Sequence, residues 1–282
     1  MSQIDQEIRV RAASYLRIAD RLLPGWVSGF YLVGSAALGE YRPGKSDLDF
    51  VAVVSSGLDR AGLQRLRGLH LTAGADAALR SAIRGRSPLS GTANGVFVRQ
   101  SDVHLPVSKI EPVASHVGTH FMVGQGFDVN PVVWKVLDEQ GLTIRGPAVA
   151  TLNLDPEPGA MRQWNLDNLN SYWLHWGEAV AKKDRFAYLA IRLPGAFRRM
   201  IAWGVLGAPR LHCTVATGPI VGKLGAGEYA LNVFHRQWQP LVNAALAYWR
   251  GEAGPTSAPP RAALRLAGKF VLEVVASANQ LS

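Results

Sequence analysis

Cysteine is nearly absent: Cys213 is the single one in 282 residues. No internal disulfide is available, which suits a reducing cytoplasm, and Cys213 itself reads as a core residue. Long apolar runs are missing as well. No stretch approaches the roughly 18 uninterrupted apolar residues that a membrane-spanning helix requires, so no span is expected. The first twenty residues, MSQIDQEIRVRAASYLRIAD, carry acids and arginines throughout and lack the apolar centre of a signal peptide. Acids are also in short supply, 21 against 30 Lys plus Arg, for a net charge of +9. Such an excess favours anionic partners (nucleotides, nucleic acid, phosphorylated metabolites), although it also serves solubility. The charge is not gathered into a tail, so no nucleic-acid arm is indicated.

Several catalytic signatures are missing too. There is no Gly-x-Ser-x-Gly elbow and no Cys-x-x-Cys pair. His116 and His120 are four apart, but Gly118 between them argues against a metal pair on one helix face. His70, His104, His175, His212 and His235 are scattered along the chain. A hydrolase triad and a zinc site are therefore unsupported.

What is present divides the chain in two. Ile4, Ile8, Ala12, Tyr15, Ala19 and Leu22 recur at helical spacing, and Pro24-Gly25 stops that helix. Phe30–Val33, Leu48–Val54, Gly95–Val98 and Thr119–Val123 read as strands. The Leu58–Arg84 stretch between them is helical, with breaks expected near Gly68 and Gly74. Asn130-Pro131 opens a helix to Glu139, its proline suited to the first turn. Residues 151–159, TLNLDPEPG, read as a linker. After it come five Ala-, Leu- and Trp-rich segments at 160–182, 185–206, 209–217, 223–250 and 260–280. Six of the eight tryptophans lie beyond residue 160, at spacings that suit a core. The expected architecture is an α/β domain over 1–150, built on a small mixed sheet flanked by helices, then a C-terminal helical bundle over 160–282.

One stretch, GSAALGEYRPGKSDLDF at 34–50, fits two phosphate-binding patterns at once. Gly39–Ser46 matches G-x-x-x-x-G-K-[ST], but a P-loop lies between a strand and a helix. Here Ser46 is followed by two acids and an apolar strand pattern, and it is preceded by a turn, Glu40–Pro43. The P-loop match is therefore accidental. The alternative keeps its context. A strand delivers Gly34-Ser35 onto a short helix, where a glycine permits close backbone approach and the Ser35 hydroxyl can hold phosphate. Asp47 and Asp49, two apart on a strand, project to one face as hard oxygen ligands for Mg²⁺ bridging nucleotide phosphates.

LVGSAALGEYRPGKSDLDFVAVV resembles the signature of the DNA polymerase β-type nucleotidyltransferase superfamily. TVATGPIVGKLGAGEYAL and QWQPLVNAALAYW resemble the helical domain of the streptomycin/spectinomycin adenylyltransferases. The resemblance implies that an acceptor hydroxyl attacks the α-phosphate of ATP and pyrophosphate leaves. Asp47 and Asp49 would hold one or two Mg²⁺, and Gly34, Ser35 and Ser46 the triphosphate. Lys223 would reach phosphate from the helical domain, and Tyr248 is a candidate nucleotide contact. The acceptor is a small molecule, an aminoglycoside by resemblance, which would make the chain an antibiotic-resistance enzyme.

Two departures qualify this. The family places a third carboxylate on the next core strand, where register puts Asn94, an amide that can ligate metal weakly but cannot take a proton. Three ways out are open: Asp102 (behind it Glu111 and Asp128) replaces it; the acceptor is already ionised; or the chain binds nucleotide without turnover. Second, Phe197-Arg198-Arg199-Met200 is basic where the antibiotic-modifying relatives carry acids. That argues against a polycationic acceptor, although Asp155, Glu157, Asp167, Glu178 and Asp184 could supply acids. An anionic acceptor or a tRNA end is the alternative within enzymes.

Overall fold

The computed structural model describes residues 3–83, 92–118, 120–182, 194–252 and 260–281. Asp184, and Thr119 at the start of an expected strand, lie outside them. The described residues form two compact units, Met1–Pro158 and Gly159–Ser282.

The first unit is a six-stranded mixed sheet with helices. Its strands are β1 (Val27–Leu32), β2 (Leu48–Val54), β3 (Ala93–Arg99), β4 (Ala114–Val117), β5 (His120–Val123) and β6 (Leu142–Arg145). Their spatial order is β5-β4-β3-β2-β1-β6, and only β2 and β3 pair in parallel. The helices are α1 (Gln3–Leu22), the single turn α2 (Gly34–Ala37), α3 (Arg60–Ile83) and α4 (Pro131–Gln140).

Strand alternation sorts the side chains onto two faces. Phe50 and Ala52 of β2, with Phe97 of β3, join Tyr15, Ala12, Leu66 and Leu69 from α1 and α3 in one buried cluster. Asp49, Val51 and Val53 pair with Asn94, Val96 and Val98, so these six share the opposite face. Gly95 keeps the two parallel strands this close. A Cβ there would meet the Phe50 carbonyl oxygen at 2.2 Å.

Helix α3 runs unbroken through Gly68 and Gly74. Each glycine costs about 1 kcal/mol of helix propensity. The fully buried Leu66 and Leu69 hold the helix on the core across that weakness. Helix α1 is tied down by a two-pronged ion pair: Arg145 of β6 donates from both terminal nitrogens to Asp20, each at 2.6 Å. That pair holds the Asp20 carboxyl below its ordinary pKa, chiefly through the Arg145 hydrogen bond. Both partners are partly exposed. Arg145→Ala is therefore expected to lower stability by no more than about 1 kcal/mol, read by chemical denaturation.

The core of this unit also contains histidine. His116 is buried, hydrogen-bonded to the Tyr15 hydroxyl at 2.8 Å, with the His70 ring centroid 4.2 Å away. Desolvation, then the charge of His70, push its pKa from 6.5 down to about 3. Burial lowers that of His70 as well. An unfolded chain protonates these rings near pH 6.5 while the folded one does not, so stability is full above that pH and falls below it. From His116 alone the loss at pH 5 is about 2 kcal/mol. Denaturant unfolding at pH 7.5 and pH 5.0 measures it, and His116→Gln should narrow the gap; equal stability at both pH values would contradict the buried neutral ring.

The second unit is helical: α5 (Met161–Asn168), a π-helical turn (Leu169–Trp173), α6 (Leu174–Lys182), α7 (Pro194–Thr217), α8 (Lys223–Val233), α9 (Gln239–Arg250) and α10 (Pro260–Asn279). Helix α7 continues through Pro209, where the sequence suggested a break. Val205, Leu206, Ala208 and Cys213, all buried, hold it against the core on both sides of the proline. The tryptophans follow their helical spacing inward: Trp173, Trp238 and Trp249 are core residues. His212 lies buried between the Tyr229 hydroxyl at 2.8 Å and Ser277 Oγ at 3.1 Å, with its pKa lowered to about 4 by burial. It is a satisfied core histidine.

Candidate nucleotide site

Strand β1 ends at Leu32, and Val33 is fully extended before the chain turns into α2 at Gly34. Val33 N donates to the Asp49 carbonyl at 3.0 Å, fixing the turn beside the start of β2. Gly34 has φ +57°, and an added Cβ would meet Asp49 Oδ2 at 2.4 Å. The Asp49 carboxylate therefore fills the place where any other residue would carry its side chain. Only glycine satisfies both the dihedral and the contact.

Asp47, two residues before Asp49, receives a hydrogen bond on Oδ1 from Thr92 Oγ1 at 3.1 Å. Leu48 N donates to the Thr92 carbonyl at 2.8 Å, so the segment entering β3 orients the carboxylate that precedes β2. The turn before it is closed locally. Lys45 N and Ser46 N both donate to the Arg42 carbonyl, at 3.0 and 2.9 Å, and Arg42 N donates to Ser46 Oγ at 2.9 Å. Ser46 is buried, and strand, not helix, follows it. Ser35 lies half-buried on α2.

Asn94 is the register partner of Asp49 across the parallel pair and shares its face. Its side chain is buried, and Oδ1 accepts the Gly118 N–H at 2.9 Å from the β4–β5 turn. The carbonyl oxygen is thus engaged on the side away from β2.

Asp102 does not belong with this group. It follows the far end of β3, three residues beyond Arg99, while Asn94 is at the near end. Five residues of strand separate Asn94 from Arg99, about 16 Å. Asp102 is also committed locally, accepting from Ser101 Oγ at 2.6 Å and from Arg99 at 3.2 Å. The Ser101 bond first, then Arg99, keep its pKa below the ordinary value, the reverse of what a proton acceptor near neutrality needs. Its closeness to β3 in sequence is misleading because the strand runs away from the pair.

Lys223 opens α8, with its Nζ 4.0 Å from the Trp249 ring centroid and 5.2 Å from that of Trp203. Tyr248 is on α9, its phenol pKa raised by burial and opposed by Arg199 and Arg198. Both lie in the second unit, whereas Gly34, Ser35, Ser46, Asp47, Asp49 and Asn94 lie in the first.

Sequence reasoning passed over Thr92, Arg42 and Lys45. Burial and the neighbouring Arg42 depress the Lys45 ammonium pKa, so two cations crowd the turn that leads into Asp47. The only sequence signal for them was the lysine of the discarded P-loop match.

Among the described residues, no group of three or more His, Cys, Asp or Glu side chains could hold a metal ion. A divalent cation that takes part of its shell from a triphosphate needs only one or two protein carboxylates. Asp49, seated in the Cβ space of Gly34, and the Thr92-oriented Asp47 meet that requirement.

Residues 14–86 match the family model described as "Nucleotidyltransferase domain". No curated protein matches the chain in sequence. Among solved structures it is similar to the spectinomycin adenyltransferase AAD(9) from Enterococcus faecialis, determined with ATP and spectinomycin. The TM-score is 0.59 and the identity 17%, covering 93% of this chain and 98% of that one. The segment matched by the family holds both β1–α2–β2 and the carboxylate pair. Residues 14–86 thus match a nucleotidyltransferase domain, and the chain as a whole is similar in fold to a spectinomycin adenyltransferase.

Proposed function

We propose that this chain transfers AMP from ATP to a hydroxyl of a small molecule, with release of pyrophosphate. The observation that carries the proposal is the seating of Asp49 on Gly34 beside the oriented Asp47. Asp47 and Asp49 would hold magnesium, which when bound offsets the charge of the triphosphate and of the departing pyrophosphate. Gly34 and Ser35 bind phosphate through backbone N–H and hydroxyl. Ser46 holds the turn closed through Arg42 N, and Arg42 and Lys45 add positive charge there. Lys223 and Tyr248 are assigned to the nucleotide from the second unit. Operation in the cytoplasm, where ATP is abundant, completes the proposal.

The acceptor follows the similar protein in class, since AAD(9) was determined with spectinomycin. The net charge of +9 and the pair Arg198-Arg199 weigh against strongly polycationic acceptors. Pyrophosphate release with ATP, GTP, CTP and UTP against spectinomycin, streptomycin and tRNA tests the proposal. The expected result is ATP-dependent release with a small-molecule acceptor and none with tRNA. Asn94 favours one other reading, a nucleotide-binding protein without turnover. Its signature is Mg·ATP binding with no pyrophosphate released from any pair.

A further inference from the structure

A hydroxyl that attacks phosphorus must shed a proton, and a carboxylate placed to take it is worth about 10²–10⁴ in rate. Asn94, the residue beside Asp49 on β3, cannot do this. Of the three acids close to β3 in sequence or along the sheet, the fold removes two. Asp102 follows the far end of the strand. Glu111 is there too, since Arg99 donates to its carbonyl at 3.3 Å and Val113 N donates to the Phe97 carbonyl.

Asp128 remains. The chain leaving β5 crosses the sheet on the Asp49 face. Ser115 Oγ donates to the Gln125 carbonyl at 2.6 Å, and Gly126 lies on Val96 and Ser115, where an added Cβ would meet Val96 at 3.0 Å. Val96 is the next residue after Asn94 on that face of β3. The segment then enters α4, which packs against α2, the turn whose Gly34 seats Asp49. Asp128 lies between these two anchors. Its loop is fixed by the buried Asn130, which donates to the Phe127 carbonyl at 2.8 Å and accepts from Val133 N at 2.9 Å. The Asp128 side chain is half-buried and, among the described residues, has no hydrogen-bond or ion-pair partner.

We infer that Asp128 is the general base of this site, the carboxylate that takes the proton of the acceptor hydroxyl. The inference rests on the reading of Asp47 and Asp49 as the nucleotide site. The acceptor oxygen forms its bond to the α-phosphorus as the bond to the bridging oxygen breaks. Pyrophosphate leaves with that electron pair, the hydroxyl proton passes to Asp128, and water later removes it. Desolvation supports the role, raising the carboxyl from 3.8 to about 6, close to a working pH near neutrality. The side chains sharing its face, Val51, Asn94, Val96 and Ser115, do not titrate there. Asp49 is on the Asn94 face with Asp47 ahead of it, but burial alone raises the Asp128 carboxyl; α2 offers Ser35 and no ionisable group, and α4 carries Asp138 beside the Lys135–Glu139 pair.

The test measures pyrophosphate release from Mg·ATP with spectinomycin and with water alone, for the wild type, Asp128→Asn and Asp128→Glu, from pH 5 to 8.5. Mg·ATP binding is measured alongside. Asp128→Asn should bind Mg·ATP as the wild type does, lose at least about 10²-fold in turnover, and lose the acid-side fall in rate that the wild type shows near pH 6. Asp128→Glu should recover part of the rate. Thermal stability of Asp128→Asn at pH 7.5 should equal or exceed that of the wild type, because a desolvated unpaired charge is gone; this separates the role from misfolding. Wild-type turnover in Asp128→Asn overturns the base and leaves the nucleotide site standing. Absence of Mg·ATP binding and of pyrophosphate release in the wild type overturns both.

Discussion

Asp49→Asn is expected to reduce pyrophosphate release by about 10⁴-fold and to abolish the magnesium dependence of ATP binding, while leaving the fold intact. The substitution keeps the shape of the side chain, so the close seat against Gly34 is preserved and packing changes little. What it removes is a formal negative charge at the point where the chain would hold a divalent cation. Charge stabilisation by such an ion amounts to several kcal/mol in the transition state, and about 5.5 kcal/mol corresponds to four decades of rate. Asp47→Asn should lose less, because an amide at that position still accepts the Thr92 hydroxyl bond. Thermal melting of each variant within a few degrees of the wild type separates lost chemistry from lost structure. Retention of nucleotide binding and turnover by the double variant Asp47→Ala, Asp49→Ala would remove the site assignment altogether.

The legible parts of this protein are those where a short stretch contains its own reason. Strand β2 was legible as an apolar run from Leu48 to Val54, but of the two acids only Asp49 is in it; Asp47 stands just before the strand, where Thr92 and not the strand's alternation orients it. Gly34 was legible as a turn residue; that it also makes room for Asp49 became visible only when β1 and β2 were side by side. Strands β4, ASHV, and β6, LTIR, interleave polar residues and offer no continuous apolar run such as FYLV or GVFV, so they went unread. In the second unit the sequence split α7 at Pro209, because proline is costly inside an isolated helix. Burial on both sides of it overrides that local preference. The proton acceptor was the hardest to place. Distance along the chain from β3 favoured Asp102, but a strand moves about 3.3 Å per residue and carries it to the wrong end of the sheet. Asp128 is 34 positions beyond Asn94, and the packing of Gly126, two residues before it, on Val96 is a long-range contact that no local pattern encodes.

Gly34→Ala should damage both the fold and the chemistry, and the two losses are separable. Alanine at φ +57° costs about 1–2 kcal/mol through contact of its Cβ with the backbone. The new methyl would also stand 2.4 Å from Asp49 Oδ2, well inside van der Waals contact. Something must move, and the backbone at Gly34 is the harder part to shift, because Val33 N is bonded to the Asp49 carbonyl and Leu38 N to the Gly34 carbonyl. The Asp49 side chain therefore gives way and swings off its seat against Gly34. A displacement of about 1 Å in a positioned group costs roughly 10²-fold in rate. The variant is thus expected to lose about 2–4 kcal/mol of stability, the backbone and overpacking costs together, and roughly 10²–10³ in turnover with ATP. Gly95→Ala is the control. Its Cβ would meet the Phe50 carbonyl at 2.2 Å, driving β2 and β3 apart, so it should cost at least as much stability. Melting temperatures with and without Mg·ATP divide the two. Gly95→Ala molecules that remain folded should still gain stability on binding nucleotide, because Asp49 keeps its seat on Gly34, whereas Gly34→Ala molecules should gain little. An unaltered ligand-induced shift in Gly34→Ala would mean that the carboxylate's position against Gly34 is not what binds the nucleotide.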